Sequence, residues 1–457
     1  MGTIDLARLE QLVRSGEMDT VVTAFPDMFG RFMGKRCTGQ FFLESIAPHG
    51  MHACDYLLAC DMEMDPVPGY AFTSWDKGYG DFHAVPDPET MRVVPWLPKT
   101  ALVLADLYRG EDAARAPVEV APRRILKRQI ERARAMEFLA MGGSELEFYT
   151  FRDSYEGARK KRYHDLETYG WYIEDYHILQ GTKEEWLIRE IRNAMDGAGI
   201  PVEFSKGEWG PGQHEINLRY ADFLEMADRH AIYKHGAKEI AALHSVAVTF
   251  MAKWHEKLAG SSCHLHSSLW DLDGKTNRFH DPKAPGAMSE VFRRWTAGLL
   301  AHARELAILY APFVNSYKRY QAGSFAPTRL VWGADNRTVG FRVVGHGQSL
   351  RVENRIPGAD TNPYLAYAAT LASGLDGIER KLELPEAFDG NAYAAPDLPG
   401  VPLSLEDAIA AFESSEFARR VLGDDVVQHY VHAGRTEVRK FAEAVTCWER
   451  ERYFERT

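Results

Sequence analysis

The segment SELEFYTF at 144–151 alternates polar and apolar residues with a period of two. That pattern constrains the chain more tightly than any other stretch. Successive side chains of a strand point to opposite faces, so Leu146 and Phe148 enter a core while Glu145 and Glu147 stand side by side opposite. Neighbouring carboxylates raise each other's pKa unless a cation or donor neutralises them. For this pair alone, a solvated strand face is the simpler reading.

Three further segments shift the balance. In VEFSKGEWGPGQHEINLRY (202–220), Glu208 and Glu215 flank a WGPG turn, and Glu215 opens another alternating stretch. In SSCHLHSSLW (261–270), His264 and His266 share a strand face, and in SLRVENRIPGAD (349–360), Arg351, Glu353 and Arg355 share one. Five glutamates and a histidine pair on separate strand-like segments suit a hard, oxygen-preferring ion, Mg2+ or Mn2+. Zinc fits less well, because HExxH and paired-cysteine patterns are missing. Arginine supplies the opposite charge, with Arg319 in NSYKRYQAGSFAP and Arg337 and Arg342 in DNRTVGFR. Guanidinium forks grip carboxylates and phosphates bidentately. Metal-holding glutamates beside such arginines are what phosphoryl transfer from ATP onto a carboxylate requires.

The surrounding pattern predicts where these segments sit. A helix is expected near 4–14 and strands at 21–25 and 100–108, with loops and short strands filling 26–113. The composition changes at 114–123 (ARAPVEVAPR), which places a domain boundary between 1–113 and 114–457. Helical spacing follows at 125–138, 183–197, 223–246, 288–310, 363–382 and 404–454. Strand-like pieces lie at 201–220, 262–270, 328–333, 338–344 and 350–356. Strands and helices alternate without a βαβ period, which predicts an α+β fold rather than a doubly wound nucleotide fold.

Composition bounds the function. A length of 457 residues corresponds to about two or three domains, and 45% hydrophobic with 26% charged residues excludes wholesale disorder. A net charge of −11 argues against a nucleic-acid or anionic-membrane partner. No apolar run approaches the roughly 20 residues of a membrane span, and no secretory signal opens the chain. The five cysteines show no CxxC spacing, and a cytoplasmic enzyme is expected. GRFMGKR at 30–36 misses a P-loop by one residue between its glycines and has Arg36 where Ser or Thr should stand. GHGQSL at 345–350 lacks a dinucleotide fingerprint, and no GxSxG supports a serine hydrolase.

NPYLAYAATLASG, GQHE, the SELEF strand and the NSYKR segment together resemble the glutamine synthetase family of ATP-dependent glutamate ligases. The resemblance runs from DMFGRFMGKR to the helical C-terminus. It implies a small N-terminal β-grasp domain, a large catalytic domain, and ring oligomers, commonly a homododecamer of two stacked hexamers with active sites between adjacent subunits. Carried over by position, Glu147, Glu208 and Glu215 match the ligands of a first metal, and Glu145, His264 and Glu353 those of a second that binds nucleotide phosphates. Arg319 and Arg355 match the arginines that hold glutamate, and Gly260 the glycine of the glutamate-binding loop. Arg337, Arg342 and Arg351 match phosphate-side arginines, and Glu203, Tyr220, His266 and Ser268 fall where the family holds ATP. The implied chemistry converts glutamate to γ-glutamyl phosphate, which an amine turns into an amide.

The departures from the family bear on the amine. The flap that carries a glutamate in true glutamine synthetases reads AGSFAP here, with Phe325 at that position. The Asp-Gly-Ser-Ser segment that helps bind ammonium is missing, and Ala259 replaces the usual Asn. Ammonium needs acceptors to leave water, whereas Phe325 offers apolar surface to an organic amine. The chain therefore resembles the γ-glutamyl amine ligase branch, and a small amine such as ethanolamine or an alkylamine is expected. Two alternatives stand beside it: a true glutamine synthetase using Asp61 or Glu63, and a polyamine enzyme using the acidic, aromatic segment 55–83. A catalytically dead structural homologue is disfavoured, because all six ligand positions hold Glu or His. Tyr393 falls near a tyrosine that some bacterial relatives adenylylate, but its flanking residues differ, and modification is not expected.

Overall fold

The structure is a computed structural model that describes residues 2–110 and 115–457. Its smaller sheet orders the strands Phe32–Thr38, Thr20–Pro26, Thr100–Arg109, Asp81–Pro86 and Met51–Cys54. Thr20–Pro26 and Thr100–Arg109 run parallel at its middle, and the other neighbours are antiparallel. With helix Leu6–Ser15 burying Leu9 and Leu12, this is the expected N-terminal β-grasp unit. The boundary at 113/114 lies outside the described residues; beyond it, Ala116–Pro117 still pair with Tyr108 and Arg109.

The larger sheet carries the motifs. Its order is Trp332–Ala334, Phe341–Val344, Arg351–Asn354, Cys263–Trp270, Leu139–Phe151, Gln213–Leu218 and Val202–Gly207. Leu139–Phe151 is central and also pairs with Ala221–Asp222 and Ala247–Thr249. One face is apolar: Leu146, Phe148, Ile216, Leu265 and Val352 are fully buried in the core. The fold is α+β.

Helix Pro363–Glu379 runs through the core beside Pro122–Ala135, Phe223–Leu243 and Glu290–His302. Asn362 caps it by accepting from the Tyr364 N–H at 3.1 Å, and Pro363 occupies the first turn. Every residue from Pro363 to Gly377 is buried, as expected for a helix apolar all round. Each large side chain there, such as Leu371 or Leu375, contributes about 1.5–3 kcal/mol by leaving water. A Cβ at Gly298 would stand 2.1 Å from the Ser373 carbonyl, so helix Glu290–His302 crosses in backbone contact that only glycine permits.

A buried arginine joins the smaller sheet to helix Phe223–Leu243. Arg123 reaches Asp87 and Asp106 of the N-terminal unit at 2.8 and 2.7 Å, and Asp228 of the catalytic unit at 3.0 Å. Tyr364 donates to the same Asp228 at 2.7 Å.

The structure corrects several element boundaries. The central strand begins at Leu139, ahead of the expected 144, because residues 139–143 pair with 266–270 of the neighbouring strand despite lacking alternation. The continuous helix expected over 404–454 is four: Leu405–Glu413, Glu416–Leu422, Asp424–Glu443 and Cys447–Tyr453. Ser404, Ser415 and Thr446 cap new starts, and Gly423 turns the chain at φ 94°. The helix expected over 288–310 splits into Glu290–His302 and Ala307–Tyr310. Among the described residues, no helix is long and apolar enough to cross a membrane.

Candidate active site

Strand register sets the polar face of the larger sheet. Glu215 lies opposite Glu147, His264 opposite Glu145, His266 opposite Glu353, and Glu353 opposite Arg342. Cross-strand partners stand about 4.5–5.5 Å apart at Cβ, so five strands present one continuous row of carboxylates, imidazoles and a guanidinium. The row opens into a cavity of about 360 Å3 lined by Glu145, Glu147, Glu208, Glu215, His264 and Gly260, with Arg319, Arg337, Arg342, Arg355 and Phe325.

Two triads along the row have ligand atoms within 4.8 Å of one another: Glu145, His264 and Glu353, and Glu147, Glu215 and His264. The first is the expected second-metal set. The second contains two of the three expected first-metal residues and shares His264; Glu208 lines the same cavity but is gripped by Lys206. Glu353 is buried and neutralised by Arg355 and by Arg342 at 3.0 Å.

Positive charge along the row is unevenly spread: Glu353 is paired with arginines, whereas Glu147 and Glu215 are not fully compensated. Burial, with Glu208 beside it, pushes the Glu147 carboxyl up to about 8, against hydrogen bonds from the Ser262 N–H (2.7 Å) and hydroxyl (2.6 Å). Burial also raises Glu215, with the Glu145 and Glu208 charges adding to it. Burial would raise Glu145 too, but His266 and His264 outweigh it and hold that carboxyl well below its usual range. Burial is likewise overcome at Glu353, which Arg355 and His264 hold down at about 2. Carboxylates that cannot all ionise unaided, with His264 as the imidazole common to both triads and no thiol, fit a divalent cation of the Mg2+ or Mn2+ kind. The neighbouring Cys263 is buried and turned towards His230, away from this face.

A second cavity of about 490 Å3 adjoins the first, with Glu145 in the wall of both. Glu203, Tyr220, His266, Ser268 and Arg351 line it, which brings the expected nucleotide residues together. Arg351 donates from Nε to His266 Nδ1 at 3.0 Å, and His266 donates from Nε2 to Glu145 at 2.8 Å. One chain of hydrogen bonds therefore runs from the second cavity to the first.

The glutamate-side residues are fixed by backbone. Arg319 is buried and donates from Nη2 to the Arg355 and Pro357 carbonyls at 3.2 and 3.0 Å and to that of Ile356. A Cβ at Gly260 would stand 2.6 Å from both the Ala252 carbonyl and Arg319 Cγ, so the loop passes there only as glycine. Phe325 is half exposed, adopts φ 60°, and meets Trp209 edge-on at 6.0 Å between ring centres. A bulky residue in that backbone region is strained by about 1–2 kcal/mol. Two bonds hold the flap in place: Arg355 donates to the Phe325 carbonyl at 3.3 Å, and the Tyr393 hydroxyl to that of Ala326 at 2.9 Å.

Among the lining residues that escaped the sequence reading are Lys206, Trp209, Gln213 and Asp175. Lys206 had a signal, since it precedes Glu208 by two in an extended run; strand Val202–Gly207 ends one residue before Glu208 and sets Lys206 opposite Glu215. Burial would lower its pKa, but the Glu215 and Glu208 charges raise it, so the ammonium sits among the carboxylates. Gln213 donates to Glu147 at 3.2 Å and to the Gly260 carbonyl at 3.1 Å. Asp61 and Glu63 instead grip Lys440, and no residue of 55–83 lines either cavity.

The glutamine synthetase catalytic-domain family matches residues 119–453. The chain belongs to the glutamine synthetase family. It is 51% identical over 453 residues to the γ-glutamylethanolamide synthetase GlnA4 of Streptomyces coelicolor, covering 99% of this chain and 96% of that one. It is 39% identical over 455 residues to a glutamate–isopropylamine ligase of a Pseudomonas species, covering 98% of each. Among solved structures, a GmaS–ADP complex superposes with a TM-score of 0.84 at 29% identity, covering 98% of this chain and 99% of that one. Members of this family use ATP and divalent metal ions.

Proposed function

We propose that this member of the family joins the γ-carboxylate of glutamate to an organic primary amine at the expense of ATP, and that the amine is small, such as ethanolamine or an alkylamine. The observation that carries the reading is Phe325, which with Trp209 puts an apolar rim on the acidic cavity where an ammonium-using flap would present a carboxylate. Two relatives named for ethanolamine and isopropylamine products support it.

In this reading Arg319 and Arg355 orient glutamate beside Gly260, and Arg319 is held rigid for that task by three carbonyls. Mg2+ or Mn2+ at the glutamate row would neutralise the ATP phosphates. Glu203, Tyr220, His266, Ser268 and Arg351 hold the nucleotide in the adjoining cavity. Arg337 and Arg342 line the first cavity and stabilise charge as a glutamate oxygen attacks the γ-phosphorus and ADP leaves. The amine nitrogen then attacks the acyl carbon of γ-glutamyl phosphate and phosphate departs. Trp209 and Phe325 receive the alkyl part of the amine, replacing water that ammonium would keep.

The family's ring of subunits is part of the proposal. Trp171, Tyr172, Ile173, Ile178 and Leu179 lie exposed close together in sequence, as an interface between copies requires. No residue of the acidic 55–83 segment lines either of the two cavities of the candidate site in its own chain, in keeping with sites shared between neighbours. Mass photometry that found only monomers would remove the ring.

The deciding experiment measures phosphate release from Mg-ATP and glutamate with ammonium, methylamine, isopropylamine, ethanolamine, putrescine and spermine, with products identified by mass. A small organic amine is expected to give the highest kcat/KM. If ammonium wins, the chain is a glutamine synthetase with an unusual flap; if spermine or putrescine wins, the small-amine assignment falls.

A further inference from the structure

On the opposite side of the Gln213–Leu218 strand from Glu215 lies a cluster that the glutamate row does not use. His214 faces it by strand alternation, Glu174 enters from the segment before helix Glu185–Gly197, and Glu184 stands at that helix's N-cap. All three are at most 2% exposed. Candidate ligand atoms from the three lie within 4.8 Å of one another.

The hydrogen bonds present do not satisfy this cluster. Glu174 Oε1 accepts from the Gly212 N–H at 2.8 Å, but its Oε2 is buried without a hydrogen-bond partner, 3.4 Å from His214 Nε2. Glu184 Oε2 accepts from His214 Nε2 at 2.8 Å and from the Thr150 hydroxyl, while its Oε1 is buried without a partner. No lysine or arginine among the described residues pairs with either carboxylate. Two buried carboxylates against one imidazole cannot both stay ionised at low cost: burial and the Glu184 charge push the Glu174 carboxyl up to about 7, so the cluster calls for a cation or for a proton shared between the two carboxyls. The backbone has been cleared to admit it: a Cβ at Gly170 would lie 1.6 Å from Glu174 Oε1, and one at Gly207 would lie 2.7 Å from Glu174 Cβ.

We infer that Glu174, Glu184 and His214 form a second, closed metal site that takes a divalent first-row transition ion, with Zn2+ the reference guest. Unlike the glutamate row, this cluster is closed and opens into neither cavity, which suits such an ion better than Mg2+, an ion that usually keeps several waters. The ion's role is structural: Glu174 donates its own N–H to the Glu208 carbonyl, and the next two residues, Asp175 and Tyr176, line the active cavity. Metal at this cluster would pin that wall to the hairpin that carries Glu208 and Glu215.

The test is anomalous diffraction from full-length protein stripped with EDTA, reloaded with Zn2+, and measured on both sides of the zinc edge. The expected result is a peak between Glu174, Glu184 and His214, separate from any peak at the glutamate row. The double variant Glu174→Gln, Glu184→Gln should lose that peak and bind about one zinc per chain fewer by mass spectrometry, while retaining peaks at the row. Zinc-loaded wild-type crystals with no peak at the cluster, its side chains joined by hydrogen bonds alone, would overturn the inference. So would an unchanged zinc count in a folded double variant.

Discussion

His264 stands between two carboxylates on neighbouring strands, its Nδ1 3.4 Å from Glu145 and 3.3 Å from Glu353. Its ring also belongs to the triad with Glu147 and Glu215, so one imidazole links the two candidate metal positions. Burial, with Arg355 nearby, holds its pKa down at about 4, leaving it neutral and able to act as a ligand near neutral pH. His264→Ala is therefore expected to weaken both metal-binding events in a calorimetric Mn2+ titration. Loss of only one event would place the histidine in a single site.

Glu147→Ala should lower turnover with every amine by more than about 100-fold, because it removes a buried carboxylate from the row rather than a contact to the amine. Phosphate release across the amine panel measures this. Activity within a few fold of wild type would mean that Glu147 holds no metal.

Phe325→Glu should shift the kcat/KM ratio of ammonium to alkylamine by about 10–100-fold towards ammonium, the range that an alkyl contact and its loss can supply. The Trp209→Ala variant should weaken alkylamine use without favouring ammonium, since it adds no carboxylate. An unaltered ratio in both variants would show that the Trp209–Phe325 rim does not touch the amine.

Tyr393→Phe leaves the Ala326 carbonyl without its hydroxyl donor and should free the flap by about 1 kcal/mol. The expected signature is a several-fold rise in KM for the amine with a smaller change in ATP KM. Equal changes in both would point to a general loss of stability.

Arg123→Met should cost about 3–5 kcal/mol of stability, because Asp87 and Asp106 at the smaller sheet and Asp228 of helix Phe223–Leu243 lose their shared cation. A melting temperature within a degree of wild type would show that the junction does not depend on this residue.

His429 gives a pH prediction away from the candidate metal sites. It is buried against Tyr70, with ring centres 4.6 Å apart, and burial holds its pKa down at about 3. Between about pH 6.5 and 3 the unfolded chain binds a proton at this position that the folded chain does not, so stability falls as pH falls through that window. Denaturant unfolding of His429→Phe should lose up to about 1.4 kcal/mol per pH unit of that dependence. Identical slopes in the two proteins would place the titration elsewhere.

Much of the candidate site was legible locally. Glu145 and Glu147, His264 and His266, and Arg351, Glu353 and Arg355 share faces because the period of a strand is two whatever it pairs with. The burial of Leu146 and Phe148 followed from the same alternation. The helix breaks within 404–454 were harder to see, because apolar spacing continues across Ser415 and Gly423 and only the caps reveal the ends.

The sequence by itself determined the chemistry of the strand faces, the α+β class, and the family, since these rest on side-chain type and local period. Only the tertiary structure decided that Glu145 faces His264, that Lys206 lies among Glu208 and Glu215, and that Trp209 meets Phe325. Glu145 and His264, like Trp209 and Phe325, lie far apart in the chain, and Lys206 meets Glu215 only across a strand pair. Their register is fixed by burying the apolar face of every strand at once, a condition on the whole sheet that no single segment contains.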